Sequence, residues 1–286
     1  MSYDMKHTQP AILDPLLAFL SGRRLIDFGA YHPSMLCRRI QLRLQMLALP
    51  DISAYQAYLD EHPDEIDRLI EALSITVSHF FRNRLTFALL LERIIPALIG
   101  AAGDKGVRIW CAGCGQGEEA YSMAILVHDY CQNEGIATPM MIMATDIDQA
   151  ALDWARRGWY RPEELAEVGK RYLDRYFVAD GDGYQVTAAI RALVTFARHD
   201  LTSGTAPPEG VFSDYHLILC RNVLIYFKRE HCAVVQQQLA AQLRPGGWLV
   251  LGEAETIAVA LANSLREVMP GTHIFWKKGG KWLTGS

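Results

Sequence analysis

The stretch CAGCGQGEEAYS, Cys111 to Ser122, sets Gly113, Gly115 and Gly117 directly ahead of Glu118 and Glu119, just after the apolar run VRIW. Glycines at a strand end let a ligand approach the backbone closely. A dinucleotide loop uses G-x-G-x-x-G and presents a helix N-terminus to a pyrophosphate. Here the spacing is G-x-G-x-G, one residue short. Carboxylates suit the first turn of a helix, because they face the positive end of its dipole, but they would repel a phosphate placed there. No G-x-x-x-x-G-K-[ST] occurs, so the loop is not a P-loop. A nucleoside without phosphate and with a cationic end meets both conditions. S-adenosylmethionine, with its sulfonium and ammonium, is such a ligand, and a glutamate can pair with its cation. Glu118 is the better candidate for the helix start and Glu119 for the cofactor. The acid that ends the next apolar run, Asp146 in ATDID, can accept hydrogen bonds from two ribose hydroxyls. Asp200, in FARHDL, ends a later run, where its side chain or backbone could meet the adenine edge.

Metal chemistry has no comparable support. The chain holds six cysteines, and Cys111 and Cys114 form a lone C-x-x-C with no second pair at zinc-site spacing. They read as small residues at a strand end, and no metal is expected. The net charge of -4 argues against a nucleic-acid footprint. Arg23, Arg24, Arg38, Arg39 and Arg43 nevertheless face a single acid, Asp27, between Ser21 and Arg43. Arg38, Arg39 and Arg43 fall on one broad helix face. Two readings stay open for them: a solvated face, or a docking face for an acidic partner.

These residues need a scaffold of alternating strands and helices. VRIWCA, MMIMATD, LVTFARHD, YHLILCRN and WLVLGE are short apolar runs separated by helical stretches, the pattern of parallel strands covered on both faces. DGDG between YFVA and YQV signals a hairpin, hence a small antiparallel β insertion at about 170–196. The first 75 or so residues read as helices only. Pro33 suits the first turn of PSMLCRRIQLRLQMLAL, and Pro63, Asp64 and Glu65 suit the start of PDEIDRLIEALSI. A further helix follows VSHFFRN and runs to about Ile99. The expected division is a helical domain over 1–75 and an α/β domain of Rossmann-like type over 76–286. With 286 residues, half of them hydrophobic, the chain can bury a sizeable core. The N-terminus shows no signal peptide and no apolar run reaches the roughly 18 residues of a membrane span, so a cytoplasmic protein without membrane insertion is expected.

Taken together, VSHFFRN, IWCAGCGQGEEAYSMA, ATDID, CRNVLIYF and LRPGGWLVLGEAE resemble the CheR family, the chemoreceptor glutamate methyltransferases of bacterial chemotaxis signalling. The resemblance runs from about Ser21 to Glu255. It implies a helical domain joined to an S-adenosylmethionine-dependent methyltransferase domain. It also implies methyl transfer to glutamate side chains in the cytoplasmic helical region of chemoreceptors, with S-adenosylhomocysteine as product. Carried over by motif, the cofactor contacts are Thr76, Ser78, Arg82, Glu119, Asp146, Asp200, Leu201, Arg221 and Asn222, beside the loop glycines Gly113 and Gly115. Tyr226 would lie near the transferring methyl. The family can bind a receptor C-terminal peptide at the β insertion, and the resemblance favours docking for the Arg38, Arg39 and Arg43 cluster. This chain departs from the family where CGQGEEAYS replaces STGEEPYS, where Ser78 replaces threonine, and where Asp200 replaces asparagine.

The implied chemistry asks little of a general base. A glutamate with a pKa of about 4.3 is already ionised at neutral pH. Arg82 could hold that carboxylate by a bidentate pair, and Tyr226 could hydrogen-bond it or touch the methyl group. Three rival readings compete. A base-amine methyltransferase would carry an Asn/Asp-Pro-Pro-aromatic motif where this chain has RNVLIY. A dehydrogenase conflicts with the loop spacing and the two acids. A non-catalytic cofactor sensor or scaffold would bind without turnover.

Overall fold

The computed structural model describes residues 10–24, 26–73, 78–102, 106–207 and 214–279. Four helices come first: α1 (Pro10–Arg24), α2 (Pro33–Met46), α3 (Ile52–Glu61) and α4 (Asp64–Leu73). The starts of α2, α3 and α4 have local causes. Pro33 opens α2 with its φ preset and no N–H to satisfy. The Asp51 side chain accepts from the Ala54 amide and caps α3. Asp64, Glu65 and Asp67 occupy the first turn of α4. Leu36 and Ile40 of α2, Tyr55 and Leu59 of α3, and Leu69 of α4 meet in one buried cluster with Leu16, Leu20 and Phe28. The i, i+4 spacing of Leu36–Ile40 and Tyr55–Leu59 is what turns each helix inward.

A turn at Phe80–Phe81 leads into α5 (Arg84–Leu89), which continues through a π turn at Leu90–Ile94 into α6 (Ile95–Ala102). Pro96 lacks an N–H and crowds the carbonyl four residues before it, which accounts for the wide turn. This helical run, 84–102, is long and apolar enough to cross a membrane by length and composition, although Arg84, Glu92 and Arg93 interrupt its apolar residues. Leu90, Ile94, Ile95 and Leu98 are nevertheless buried in the main core with β1 (Val107–Ala112).

From β1 the chain alternates. The order is α7 (Glu118–Glu134), β2 (Met140–Asp146), α8 (Gln149–Arg157), β3 (Trp159–Tyr160), α9 (Lys170–Tyr176), β4 (Phe177–Asp180), β5 (Gly183–Val186), α10 (Ala188–Arg191), β6 (Val194–Arg198) and β7 (Tyr215–Cys220). It closes with α11 (Arg229–Gln242), β8 (Leu243–Leu251), β9 (Leu265–Glu267) and β10 (Ile274–Lys277). The main sheet has seven strands in the order β6-β2-β1-β7-β8-β10-β9. The pairs β6·β2, β2·β1, β1·β7 and β7·β8 are parallel, while β10 runs antiparallel to both β8 and β9. The chain leaves β1 toward one edge and later returns to its other side at β7. That reversal opens a crevice at the carboxyl ends of the strands, where open α/β sheets bind ligands.

The small antiparallel sheet has the order β3-β5-β4. The expected hairpin is β4–β5, but its third strand comes from Trp159–Tyr160, upstream of the expected insertion. Val194 to Phe196, where the expected insertion overlaps the expected strand LVTFARHD, pair with β2 in the main sheet, so the insertion ends before them. Pro245-Gly246-Gly247 does not precede β8 but lies inside it, where the register against β7 jumps between Tyr215 and Leu217.

Candidate active site

The crevice holds one cavity lined by Ser78, Arg82, Gly113, Gly115, Glu119, Asp146, Asp200, Leu201, Arg221, Asn222 and Tyr226. These are the residues singled out in the sequence for cofactor and catalysis, apart from Thr76, which lies outside the described residues. The arginines Arg38, Arg39 and Arg43 do not line it.

Several lining residues have a local reason for their place. Gly113 follows β1 with φ +76, and a Cβ there would collide with the Val223 side chain. Only glycine lets the two loops pass so closely. Gly115 donates its N–H to Asp146 Oδ2 at 2.8 Å, and the Asp148 N–H donates to Oδ1 at 3.0 Å. The Asp146 carboxylate is therefore fixed at the tip of β2 by backbone alone. Burial pushes its pKa up, and those amides pull against the rise.

The phenylalanines before Arg82 act as two anchors. Phe80 packs edge-on against Tyr160 and Phe177, with centroids 4.8 and 5.3 Å away. Phe81 stacks on Tyr172 at 5.4 Å and donates its N–H to Ser122 Oγ at 2.9 Å. Phe81 itself is left-handed, with φ +55. This turn leaves the half-buried Arg82 facing the cavity. Arg221 braces the arrangement from the end of β7. Its Nη1 pairs with Glu119 Oε2 at 3.0 Å, its Nη2 donates to the Arg82 carbonyl at 2.8 Å, and its guanidinium sits 5.5 Å from the Phe87 ring centroid. Burial raises the Glu119 pKa, and the Arg221 guanidinium opposes that shift. Burial likewise raises the pKa of Tyr226, against the pull of Arg82 and Arg39.

Glu118 and Glu119 both stand in the first turn of α7, and of the two only Glu119 lines the cavity. Glu118 starts α7 and is buried, with its pKa pushed up to about 7 by desolvation. Asp200 uses Oδ1 to accept from the Thr202 N–H and hydroxyl, at 2.8 and 2.7 Å, while Oδ2 is buried without a partner among the described residues. The cavity thus offers fixed carboxylates at Asp146 and Asp200, close backbone at Gly113, and a glutamate beside the loop. That donor set fits a nucleoside with free ribose hydroxyls and a cationic amino-acid end. Among the described residues no group of three or more His, Cys, Asp or Glu could hold a metal.

Sequence reasoning missed three lining residues from the helical domain: Phe28, Tyr31 and Ile70. Tyr31 bridges to Phe227 through backbone pairing and an edge-on ring contact at 4.9 Å. Burial, with Asp200 and Asp146 nearby, raises its phenol pKa. The only sequence signal was its place in the Tyr-His-Pro stretch that opens α2.

The arginine cluster needs one correction. Arg43 is not part of a free docking face: its Nε and Nη2 grip Glu65 at 2.7 and 2.6 Å, with Tyr55 OH donating to Glu65 Oε1 at 3.0 Å. Glu65 is fully buried, so Arg43 is committed to neutralising it. Arg38 is exposed and Arg39 half-buried, and both remain on the outer side of α2.

Comparison with known proteins finds two family models. The family model for the CheR methyltransferase all-alpha domain matches residues 12–74. The model for the CheR methyltransferase SAM binding domain matches residues 76–274. A 104.1 kDa protein of Rhodobacter capsulatus is 33% identical over 259 residues; the match covers 90% of this chain and 26% of that protein. A chemotaxis protein methyltransferase of Listeria innocua is 32% identical over 81% of this chain and 85% of its own. Chemotaxis protein methyltransferase 2 of Pseudomonas aeruginosa is 32% identical over 82% of each.

Proposed function

The chain belongs to the CheR methyltransferase family, and from that premise we propose that it methylates glutamate side chains in the helical cytoplasmic region of chemoreceptors, in the cytoplasm, for adaptation in a chemosensory pathway. The observation that carries this reading is the single cavity in which Arg82 and Tyr226 stand among Glu119, Asp146 and Asp200. S-adenosylmethionine, when bound, supplies the electrophilic methyl carbon and leaves as S-adenosylhomocysteine.

Asp146 would hold the ribose, and Gly113 and Gly115 would admit the methionyl portion. Asp200 and Leu201 would border the base, and Ser78, Glu119 and Asn222 would line the rest. Arg221 serves chiefly as the brace that fixes Glu119 and Arg82. On the substrate side, an ionised glutamate needs no base to become a nucleophile. Arg82 would hold its carboxylate by two parallel N–H donors and leave one oxygen aimed at the methyl carbon. Tyr226 would contact the carboxylate or the methyl group. Orientation of this kind can supply several kcal/mol of the barrier. Charge is neutralised as the reaction proceeds, so a dry wall of Phe28, Tyr31, Ile70 and Val223 avoids stabilising the separated ions.

Docking would use the outer face of α2, where Arg38 and Arg39 accompany the exposed Leu42 and Met46. That mixture suits an amphipathic acidic helix, with the charges steering association. The small sheet offers a second contact. Its edge strand β4 exposes Val178, and a receptor C-terminal peptide could add to it as a further strand. The reading is tested by incubating the protein with labelled S-adenosylmethionine and purified receptor fragments. Base-labile label on receptor glutamates is expected, and cofactor binding without transfer would favour a sensor.

A further inference from the structure

Glu255 follows β8 and is buried, 4% exposed, although it does not line the cavity. Its Oε1 accepts from the N–H groups of Val223 and Leu224, both at 2.8 Å. Its Oε2 accepts from the Gly252 N–H at 2.6 Å. One carboxylate therefore ties the end of β8 to the loop after β7 through three backbone amides. Val223 and Leu224 begin the short 3-10 turn Leu224–Tyr226, so Glu255 caps the turn that carries Tyr226. Three backbone amides on one buried carboxylate satisfy both of its oxygens and fix its position.

The same junction contains two signs of close constraint. Asn222 is left-handed, with φ +60. A non-glycine residue keeps that conformation only where its surroundings impose it. A Cβ on Gly252 would stand 2.8 Å from both the Asn222 nitrogen and Glu255 Oε2. On its other side, Val223 packs where a Cβ on Gly113 would sit. The position of Val223, set by Glu255, thus locates the glycine loop and the Asn222–Tyr226 segment against each other.

We propose that Glu255 is a positioning residue for methyl transfer: its grip on the Val223, Leu224 and Gly252 amides sets the turn that presents Asn222 and Tyr226 to the cavity. The inference rests on the methyltransferase reading above. It deepens that reading by giving the reaction a group that never touches substrate.

The test is a double-mutant cycle in the labelled methyl-transfer assay, using the full chain and a receptor cytoplasmic fragment. Glu255→Gln is expected to lower kcat about tenfold or more, while KM for S-adenosylmethionine moves by less than about threefold. Because Glu255 acts through Tyr226, the Glu255→Gln/Tyr226→Phe double variant should lose no more than about twofold beyond Tyr226→Phe alone. Gly252→Ala, which presses on the junction from the β8 side, should reproduce the kcat loss. Losses that multiply in the double variant, or wild-type kcat in Glu255→Gln, would overturn the proposal. Failure of both Glu255→Gln and Gly252→Ala to fold would also overturn it, by assigning the carboxylate to stability. A wild-type chain that transfers no methyl group defeats the underlying reading first, and that failure appears before any variant is compared.

Discussion

Arg82 is aimed by its neighbours. Phe80 and Phe81 bury their rings on the two sides of the turn, and Arg221 holds the Arg82 carbonyl. Replacing Arg82 with Lys keeps the charge but removes the planar fork. We expect kcat/KM for receptor to fall about tenfold to a hundredfold, with a smaller loss of cofactor affinity by calorimetry. Glu118 gives a second prediction at this scale. Its folded pKa of about 7 lies above the ordinary value of 4.5, so the native state binds the proton more tightly than the unfolded chain. Stability from this group is therefore full below pH 4.5 and is lost as pH rises through about 7. Thermal melts of wild type and Glu118→Gln should diverge on that climb, with the variant increasingly favoured. Parallel curves would show that the buried carboxyl does not titrate there.

At the scale of elements, α2 presents two different sides. Its inner side commits Arg43 to the buried Glu65, while Arg38 stays outside. Arg43→Ala should cost about 3 kcal/mol in denaturant unfolding, because it strands a buried carboxylate. Arg38→Glu should leave unfolding within about 0.5 kcal/mol of wild type and slow receptor methylation more than it weakens cofactor binding. Equal effects on both would remove Arg38 from docking. In the glycine loop, Gly113→Ala should destabilise by about 2 kcal/mol or more through backbone strain, and the clash with Val223 should depress cofactor affinity with it.

These elements also show where sequence is readable. The glycine loop, Asp146 and the β4–β5 turn were visible because glycines, strand-end acids and DGDG carry local conformational meaning. The pairing of Arg43 with Glu65 was not, since helix spacing reveals the face of a helix but not what packs against it. Strands β9 and β10 have three and four residues, too few for a period to show. The helix after VSHFFRN was legible to about Ile99, but its π turn at Leu90–Ile94 was not, because hydrophobic spacing does not separate a wide turn from an α-helical one.

Across the whole molecule, the two domains share one site. Tyr31 and Ile70 reach the cavity from the helical domain, and Tyr31 lies two residues before the helix that bears Arg38 and Arg39. Backbone bonds from His32 to the Tyr226 carbonyl, at 3.0 Å, and from Lys228 to the Ala30 carbonyl, at 2.8 Å, tie that segment to the turn carrying Tyr226. Placement of this kind comes from tertiary packing between distant segments, so the Tyr-His-Pro stretch did not announce that Tyr31 lines the cavity. Receptor docking and methyl transfer would thus be joined through a few ångströms of shared backbone. The most direct measurement of the central claim is site mapping by mass spectrometry. Chemoreceptors from the same cell would be incubated with this protein and labelled S-adenosylmethionine, then digested and sequenced. Methyl esters on glutamates of the receptors' cytoplasmic helices, absent with Arg82→Ala, are the predicted result. No ester on any receptor glutamate, or label confined to other residue types, would contradict it.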